Sequence, residues 1–376
     1  MSNAGLEGVV VAQTELSAIN GETGELIYGG YDIDDLARNT TFEEVTYLLW
    51  NGRLPTSDEL NPLSSELAAE SSISPRMLDL LRSMPEGDAM AALRTAVSFL
   101  GLEDHEANDN SEPANRRKAI SLTAKIPTII AAYDRVRKGL DPIAPRGELS
   151  TAANFLYMLT GDEADELRTR TFDAGLVLHA EHGMNASTFS ARVTAATQSD
   201  IYSAVVSAIG TLKGPLHGGA NTRVMEMLAD IDKSGRDPAD WVHDVLERKE
   251  RVMGFGHRVY KATDPRATVL RELADAIMEG RGETRWLDLS DRVREAMRQE
   301  MESRGKKIYP NVDFFSASVY TTLGIEVDLF TPIFAMSRVS GWTAHLLEQY
   351  ANNRLIRPKA EYVGPRGLKV QPRDER

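Results

Sequence analysis

Apolar residues recur with the spacing of an α-helix through almost the whole chain, and this periodicity limits the fold more than any other feature. In a helix that packs on a core, apolar residues return every three or four positions, whereas in a half-buried strand they alternate. Alternation of the strand type is nearly absent. We therefore predict an all-α protein. The predicted helices cover residues 34–49, 119–136, 151–159, 164–182, 203–213, 239–247, 267–278 and 287–301.

Short extended segments and loops separate these helices. Residues 9–11 and 24–28 are the candidates for extended structure. The acidic segment 103–112 has no helical apolar face and is predicted to be an exposed loop. Two Pro and two Gly predict a turn over 138–147. The remaining irregular segments are a break at 280–282 and an extended tail at 364–376.

The length and composition predict a protein of two domains that does not enter a membrane. At 376 residues the chain exceeds the usual length of one domain, and its 42% of hydrophobic residues suffices for a large core. No run approaches the roughly 18 apolar residues of a membrane span, and residues 1–8 do not resemble a signal peptide. Cys is absent, which excludes disulfides and thiolate metal sites and favours a reducing cytoplasm.

The formal net charge of -13 argues against nucleic acid as a partner, because nucleic-acid binding needs a basic face. Only 11 of the 43 basic residues are Lys. An excess of carboxylates with little Lys indicates a halophilic protein, since concentrated salt screens the repulsion between like charges. Ordinary solubility is the alternative explanation.

Three short motifs contain the residues of a plausible acid/base set. They are GPLHGGAN around His217, GFGHRVY around His257 and PNVDFF around Asp313. Taken singly, the two histidines are ordinary loop residues and Asp313 is a helix N-cap, a common position for Asp. Taken together, two histidines and a carboxylate beside Gly, Pro and aromatic residues predict general acid/base catalysis.

The order and wording of these motifs resemble the citrate synthase family. The resemblance covers residues 24–370, although family members often have Arg at the position of Gly29. Its further segments are LIYGGYDI at 26–33, AKIPTI at 124–129, NFLYML at 154–159, LHAEHGMNAS at 178–187, RVSGW at 338–342 and RLIRP at 354–358. The resemblance implies a two-domain helical homodimer of the short type. The large domain would comprise residues 1–218 and 325–376, and the small domain residues 219–324.

The implied reaction condenses acetyl-CoA with oxaloacetate and water, giving citrate and CoA without a metal or redox cofactor. Asp313 would remove the methyl proton, and Phe314 and Phe315 beside it would exclude water and raise its basicity. His217 would donate a hydrogen bond to the thioester carbonyl oxygen. His257 would polarise and protonate the carbonyl of oxaloacetate.

The resemblance also implies the groups that bind the two anionic substrates. Arg binds carboxylates through two parallel hydrogen bonds. The residues implied for oxaloacetate are His182, Arg266, Arg338 and, from the partner subunit, Arg357. Those proposed for CoA are Arg251, Gly254, Phe255, Gly256, Lys261, Lys306 and Lys307. In isolation, each Arg fits an ordinary surface ion pair and the Lys residues fit a solvated basic patch.

Other functions fit parts of the pattern. A 2-methylcitrate synthase would use the same residues with propionyl-CoA, and one methylene group contributes only about 1–3 kcal/mol in a pocket. A metal-dependent hydrolase would use His179, His182 and His217, and Glu181 lies between the first two histidines. The spacing of that segment is not His-Glu-x-x-His, and the family uses no metal there. A homologue that binds without catalysis is disfavoured by the intact motifs.

Overall fold

The structure is a computed structural model that describes residues 4–6, 8–256, 259–281 and 285–375. Within these residues it contains sixteen α-helices and one three-stranded antiparallel sheet. The prediction of an all-α fold is confirmed, since the sheet is a small hairpin with one added strand. None of the described helices is long and apolar enough to span a membrane.

The elements follow one another with short connections. The strands are Ser17–Asn20 (β1), Glu25–Tyr28 (β2) and Tyr31–Asp32 (β3). The helices are Ile33–Asn39 (α1), Phe42–Asn51 (α2), Ser57–Glu70 (α3), Pro75–Ser83 (α4), Ala89–Glu103 (α5), Glu112–Arg137 (α6), Thr151–Thr160 (α7), Glu166–His179 (α8), Ala186–Ala195 (α9), Ile201–Leu212 (α10), Ala220–Ser234 (α11), Pro238–Glu247 (α12), Pro265–Arg281 (α13), Arg285–Ser303 (α14), Val312–Thr322 (α15) and Phe330–Ala351 (α16). Short 3₁₀ turns cover Ala4–Leu6, Val327–Leu329 and Arg373–Glu375.

Side-chain caps fix the starts of most helices. A capping oxygen accepts one of the backbone N–H groups that the first turn leaves without a partner, which stabilises a helix by about 1 kcal/mol. Residues with such a hydrogen bond are Asp32, Thr41, Ser74, Asp88, Ser150, Asp165, Asn185, Asp200, Asp237 and Asn311. Because these caps are short-range, the helix starts are determined by the local sequence.

Two local predictions are wrong. The single helix predicted over 34–49 is two helices, because Thr40 ends α1 and Thr41 begins α2 with a capping box to Glu44. Residues 9–11 form no strand, and their side chains are exposed. The strand that pairs with β2 is instead β1, with Ala18 opposite Ile27. The extended segment predicted over 24–28 is confirmed by β2.

The loops predicted at 103–112 and 138–147 and the predicted C-terminal tail agree with the described residues. No helix or strand covers the middle of 103–112 or any of 138–147. The break predicted at 280–282 is wrong at residues 280 and 281, because helix α13 runs to Arg281, and residue 282 lies outside the described residues. The tail at 364–376 is irregular as far as it is described, apart from the turn at Arg373–Glu375.

Helix α16 lies at the centre of the fold. It packs against α2, α5, α6, α8, α9, α10 and α11. Most of its side chains are buried, including the polar residues Arg338, Ser340, Thr343 and His345. Further along the chain, α12 packs on α14 and α13 on α15, while α13 also contacts α1 and α8. Positions next to α16 therefore have little access to water, and a charged group placed there needs a specific partner.

Candidate active site

Arg338 lies at the bottom of the predicted site, on the buried helix α16. Its side chain is 1% exposed, and Nε donates a hydrogen bond to the carbonyl oxygen of His179 at 2.7 Å. The guanidinium lies 4.7 Å from the ring centre of Phe334. Nη2 has no hydrogen-bond partner among the described residues. We call residues 179–182 together with 334–341 the helical floor.

Burial makes Arg338 a costly charge, but it remains a cation at neutral pH. Desolvation lowers the pKa of Arg338 to about 10, and the negative charge of Glu181 acts in the opposite direction. The same guanidinium influences the pKa values of His217 and Asp313. The structure therefore brings both described members of the predicted acid/base set near Arg338.

His217 faces the helical floor, with its ring centre 6.5 Å from that of Phe334. The backbone N–H of Ser187 donates to Nε2 at 3.3 Å, and the Ser187 hydroxyl lies 2.8 Å from the same atom. Nε2 is therefore the unprotonated nitrogen, and a neutral ring carries its hydrogen on Nδ1. Burial, together with the charge of Arg338, lowers the pKa of His217 to about 4. At neutral pH, His217 is a neutral hydrogen-bond donor.

Asp313 lies in the first turn of α15 and is not the helix cap. The cap is Asn311, whose side chain accepts from the backbone N–H of Asp313 at 3.1 Å. The carboxylate of Asp313 accepts no hydrogen bond from the described residues. Burial raises the pKa of Asp313 to about 6, although Arg266 and Arg338 act against this change. A carboxylate without hydrogen bonds and with a raised pKa is suited to accept a proton.

Arg266 is also buried, but it is paired directly with a carboxylate. Its Nε and Nη2 donate to Asp264 at 2.9 and 2.8 Å. Burial alone would lower the pKa of Arg266, but the charge of Asp264 raises it above the ordinary value. Asp264 also accepts from the backbone N–H of Val312 at 3.1 Å. The pair thus joins the start of α13 to the start of α15, one residue before Asp313.

His182 and Arg357 complete the residues predicted for oxaloacetate. His182 Nε2 lies 3.2 Å from the hydroxyl of Tyr260, whose ring packs edge-on at 5.7 Å. Tyr260 also lies under the guanidinium of Arg266. Arg357 is exposed in the irregular segment after α16, and no hydrogen bond or ion pair of the described chain joins it to the other site residues. Within one chain, the structure brings together His182, Arg266 and Arg338.

The glycine loop predicted for CoA is paired with the segment that leads into α15. Gly256 N–H donates to the carbonyl of Tyr309, and Asn311 N–H donates to that of Gly254, both at 2.9 Å. Gly254 and Gly256 have φ of 78° and 77°, and a Cβ at Gly254 would lie 2.9 Å from the Phe314 side chain. Glycine at 254 therefore allows the loop to approach α15 closely. We call residues 254–256, 259–266 and 307–313 the loop wall.

A cavity of about 240 Å³ opens in the loop wall. Its lining includes Gly256, Lys261, Lys307 and the backbone around Pro310. Lys261 forms an ion pair with Glu22, at the turn of the β1–β2 hairpin. The other residues predicted for CoA lie nearby in sequence, with Phe255 half-buried and Arg251, Lys306 and Lys307 exposed. His257 lies outside the described residues.

The histidines of the metal hypothesis do not converge in the described structure. His179 Nδ1 lies 2.8 Å from the carbonyl of Gly175 within its own helix, and its ring packs on Phe334 at 5.1 Å. The Glu181 carboxylate contacts His345 and Ser17. Among the described residues, no three His, Cys, Asp or Glu side chains are grouped as metal ligands.

Several groups that shape the site were not predicted from the sequence. They are Ser187, Tyr260, Asp264 and Phe334. Asp264 had a readable signal, because Asp followed by Pro before an apolar-periodic segment marks a helix start. The contacts of Ser187 on α9 and Phe334 on α16 with His217, in the turn before α11, join distant segments, so no local pattern indicates them.

Comparison with known proteins identifies the family. The family model described as "Citrate synthase, C-terminal domain" matches residues 5–359. The chain belongs to the citrate synthase family. A protein of Haloferax volcanii named "Citrate synthase" is 53% identical over 99% of this chain and 98% of its own length. "Citrate synthase 2" of Bacillus subtilis is 51% identical over the same shares. A "2-methylcitrate synthase" of Mycobacterium tuberculosis is 45% identical over 96% of this chain and 90% of its own length.

Solved structures of the citrate synthase family have the same fold. The citrate synthase of Pyrobaculum aerophilum superposes with a TM-score of 0.93 at 40% identity, covering 99% of this chain and 95% of that one. The citrate synthase of Thermoplasma acidophilum, solved with carboxymethyl coenzyme A and oxaloacetate, gives 0.91 at 33% identity and covers 99% of both chains. The predicted family and the predicted enzyme class, an acyltransferase of the citrate synthase type, are confirmed.

Proposed function

We propose that the protein condenses acetyl-CoA with oxaloacetate and water to give citrate and CoA, the entry reaction of the tricarboxylic acid cycle. One observation carries the proposal. His217 is neutral with a hydrogen on Nδ1, the carboxylate of Asp313 accepts no hydrogen bond from the described residues, and both lie near the buried cation Arg338. Such a site provides a hydrogen-bond donor, a base and an anion-binding group in one place.

In this mechanism Asp313 accepts a proton from the methyl group of acetyl-CoA. The oxygen of the resulting enolate accepts a hydrogen bond from Nδ1 of His217. The enolate carbon attacks the ketone carbon of oxaloacetate, and the ketone oxygen takes a proton from His257. Water then cleaves the citryl thioester, which releases CoA as a free thiol. No metal or redox cofactor takes part.

The proposed substrate contacts follow from charge and burial. The carboxylates of oxaloacetate bind Arg338, Arg266 and His182 within one chain. The cavity in the loop wall takes part of CoA, and its backbone groups contact the adenine. The phosphates of CoA bind basic residues around the cavity, namely Arg251, Lys261, Lys306 and Lys307. The ion pair between Lys261 and Glu22 must then open, and opening an exposed ion pair costs little free energy.

We also propose that the protein is a homodimer with composite sites. Arg357 is exposed in this chain, which suits a residue that completes the partner's site. Residues 1–218 and 325–376 would form the large domain and residues 219–324 the small one, which closes on oxaloacetate. Mixing Arg357→Ala and Asp313→Asn subunits should regenerate activity in the heterodimer, because one of its two sites is intact. Inactive, verified heterodimers would contradict the sharing of sites.

The alternative acyl donor is propionyl-CoA, as in a 2-methylcitrate synthase. Relatives of that name are 42–45% identical, whereas those named citrate synthase reach 53%. The test measures thiol release from acetyl-CoA and from propionyl-CoA, with oxaloacetate, before and after EDTA treatment. We expect release only when both substrates are present, a higher kcat/KM for acetyl-CoA, and no effect of EDTA. A higher kcat/KM for propionyl-CoA would favour the alternative, and zinc-restored activity after chelation would contradict the mechanism.

Finally, we propose that the acidic surface suits concentrated salt and that the protein works in a reducing cytoplasm. The net charge of -13 and the absence of Cys support these proposals. The salt proposal is tested by the dependence of stability on KCl described below. Fractionation of the cells that make the protein would test the location, and recovery of the enzyme outside the cytoplasm would contradict it.

A further inference from the structure

A chain of buried polar groups lies behind Arg338 and has no part in the mechanism above. It begins at Glu181 on the helical floor, continues through His345 on α16 and ends at Arg192 on α9. Nε2 of His345 lies 3.0 Å from Oε1 of Glu181, and Nη1 of Arg192 lies 3.1 Å from Nδ1 of His345. Glu181 and His345 are 0% exposed. Such a network, which lies away from any reacting atom, acts on the site through position and charge.

The hydrogen bonds fix the direction of every contact along this chain. Arg192 can only donate, so Nδ1 of His345 accepts and Nε2 carries the hydrogen. His345 therefore donates to Glu181, which needs no protonation of the ring. Arg192 is itself anchored by Glu348 at 2.6 Å and by Gln349 at 3.0 Å. His345 is thus held in one tautomer and one orientation.

Glu181 is held on its other side by the hairpin. The hydroxyl of Ser17, on β1, donates to Oε1 at 3.0 Å. The backbone of Glu181 is also fixed, because its N–H and carbonyl oxygen both contact the hydroxyl of Tyr28. The second oxygen, Oε2, has no hydrogen-bond partner in the described structure and lies against Gly341, where a Cβ would collide with it.

Glu181 and Arg338 carry opposite charges in the same buried region, yet they form no ion pair in the described structure. Each influences the pKa of the other. Oε2 of Glu181 and Nη2 of Arg338 both lack hydrogen-bond partners among the described residues. Attraction between buried opposite charges is strong, so a side chain free to move would bring these two groups into contact. The hydrogen bonds from His345 and Ser17 oppose that movement.

We propose that His345 and Ser17 keep Glu181 at a distance from Arg338. Glu181 then stabilises the buried cation by its charge without forming an ion pair that would engage the donor atoms of Arg338. Arg338 then keeps Nη2 available for a carboxylate of the substrate. His345, Ser17 and Glu181 are positioning residues, and their role as described here rests on the proposed function. The arrangement resolves a conflict between two requirements, since a buried cation needs a nearby negative charge while a binding site needs an unpaired donor.

The test measures oxaloacetate affinity by calorimetry and steady-state kinetics on the full-length protein. His345→Leu removes the donor and frees Glu181 to pair with Arg338. We expect the dissociation constant for oxaloacetate to rise about tenfold, because one hydrogen bond to a charged group is lost. The kcat at saturating substrate should change less than about twofold, since Arg338 is displaced only in competition with the substrate. His345→Gln, whose amide can still donate, should bind nearly as the unaltered protein.

The decisive variant combines His345→Leu with Glu181→Gln. Without its charge, residue 181 no longer competes for Arg338, so the double variant should recover most of the lost affinity, a result that general loss of packing does not predict. Ser17→Ala should act in the same direction as His345→Leu, by about threefold, and provides the test if His345→Leu does not fold. Asp173→Asn, a buried carboxylate-to-amide change within α8, is the matched control and should leave affinity unchanged.

Two results would overturn the inference. One is unchanged oxaloacetate affinity in folded His345→Leu, or in Ser17→Ala if the first does not fold. The other is a double variant as weak as His345→Leu alone. Failure of the proposed function is recognised separately, because the unaltered protein would then neither bind oxaloacetate nor release CoA.

Discussion

Arg338 on the helical floor and Arg266 on the loop wall are both almost fully buried, but their charges are balanced in different ways. Arg266 is 3% exposed and makes two hydrogen bonds to Asp264, its neighbour in sequence. Arg338 is 1% exposed and donates to a backbone carbonyl. The negative charge of Glu181 acts on it, but the two groups form no ion pair in the described structure. The first arrangement uses two donors of Arg266 to stabilise a loop, whereas the second leaves more donor atoms available for an incoming anion.

This difference suggests that the helical floor mainly binds the substrate, whereas the charged pair of the loop wall mainly stabilises the fold. The floor is built on α16, whose packing on seven other helices fixes the backbone, so its polar groups need not hold the structure together. The wall is built from loops, and its charged pair joins α13 to α15. We therefore expect substitutions on the floor to change ligand affinity, and substitutions of the wall pair to change stability first.

On the loop wall, the largest effect is expected from changing Asp313, the proposed base, and not from changing the pair of Arg266 and Asp264. Asp313→Asn keeps the size of the side chain and removes the base, so kcat should fall about 100- to 10,000-fold. The dissociation constant for oxaloacetate should change less than about threefold. Rapid-mixing kinetics and calorimetry on the same preparation check both values. Near-normal turnover would show that another group removes the proton.

The comparison between the two arginines is tested by replacing each with Met. Arg266→Met removes the cation that makes two hydrogen bonds to buried Asp264, and we expect a loss of about 3–5 kcal/mol in the free energy of unfolding. Adding Asp264→Asn should recover part of this loss. Arg338→Met should lose less stability but weaken oxaloacetate binding about a hundredfold. Denaturant unfolding and calorimetry separate the effects, and equal losses of stability would contradict this difference between floor and wall.

We expect the pH dependence of activity, and part of that of stability, to come from Asp313. Its pKa is raised from 3.8 to about 6, so activity should rise with pH through about 6 as the base becomes ionised. The stability of the fold changes in the opposite direction and falls as the pH rises. The folded state binds the extra proton between pH 3.8 and 6, so this group destabilises the fold increasingly across that window and fully above it.

The Asp313→Asn variant checks the stability effect. Because Asp313 is partly exposed, we expect a gain of about 1–3 kcal/mol over the unaltered protein at pH 7–8. The gain should disappear near pH 3.5, where the unaltered carboxyl is protonated in both states. Thermal or denaturant unfolding across a pH series measures it, and a loss of stability at neutral pH would show that the carboxylate is stabilised in the fold.

The smallest effect is expected from salt, which acts mainly on the exposed charges and on the capture of the anionic substrates. A net charge of -13 repels itself at low ionic strength, and the screening length falls from about 30 Å at 0.01 M to about 3 Å at 1 M. We expect the melting temperature to rise into molar KCl while the KM for oxaloacetate increases. A melting temperature that stays constant or falls with added KCl would indicate that the acidic surface serves solubility and not adaptation to concentrated salt.

The sequence predicts several helices with an exposed polar face but not the central helix. Helices α12 and α14, for example, have an apolar and a polar face and were predicted to within a few residues. Helix α16 was not predicted, because a helix buried on nearly all sides has no polar face and therefore little periodicity. The break between Thr40 and Thr41 was missed, although Thr41 followed by Glu44 is a readable capping signal. Caps thus correct a prediction that periodicity alone gets wrong.

The site shows the same limit in chemical terms. His217 and Asp313 were found because Gly, Pro and aromatic neighbours make their motifs distinctive over a few residues. The tautomer of His217 depends on Ser187, thirty positions away, and the environment of Arg338 depends on Glu181. Contacts between distant segments decide protonation and availability. Such contacts become visible only when the helices are assembled.

The central position of α16 has a consequence for how the protein is made. The ribosome releases a chain from its N-terminus, so α2, α5, α6, α8, α9 and α10 emerge well before Phe330–Ala351. Until α16 arrives, the helices that surround it expose the apolar surfaces that it later covers. Exposed apolar surface on an incomplete chain favours aggregation. The nascent protein therefore passes through a period of vulnerability that ends only after most of its length has been synthesised.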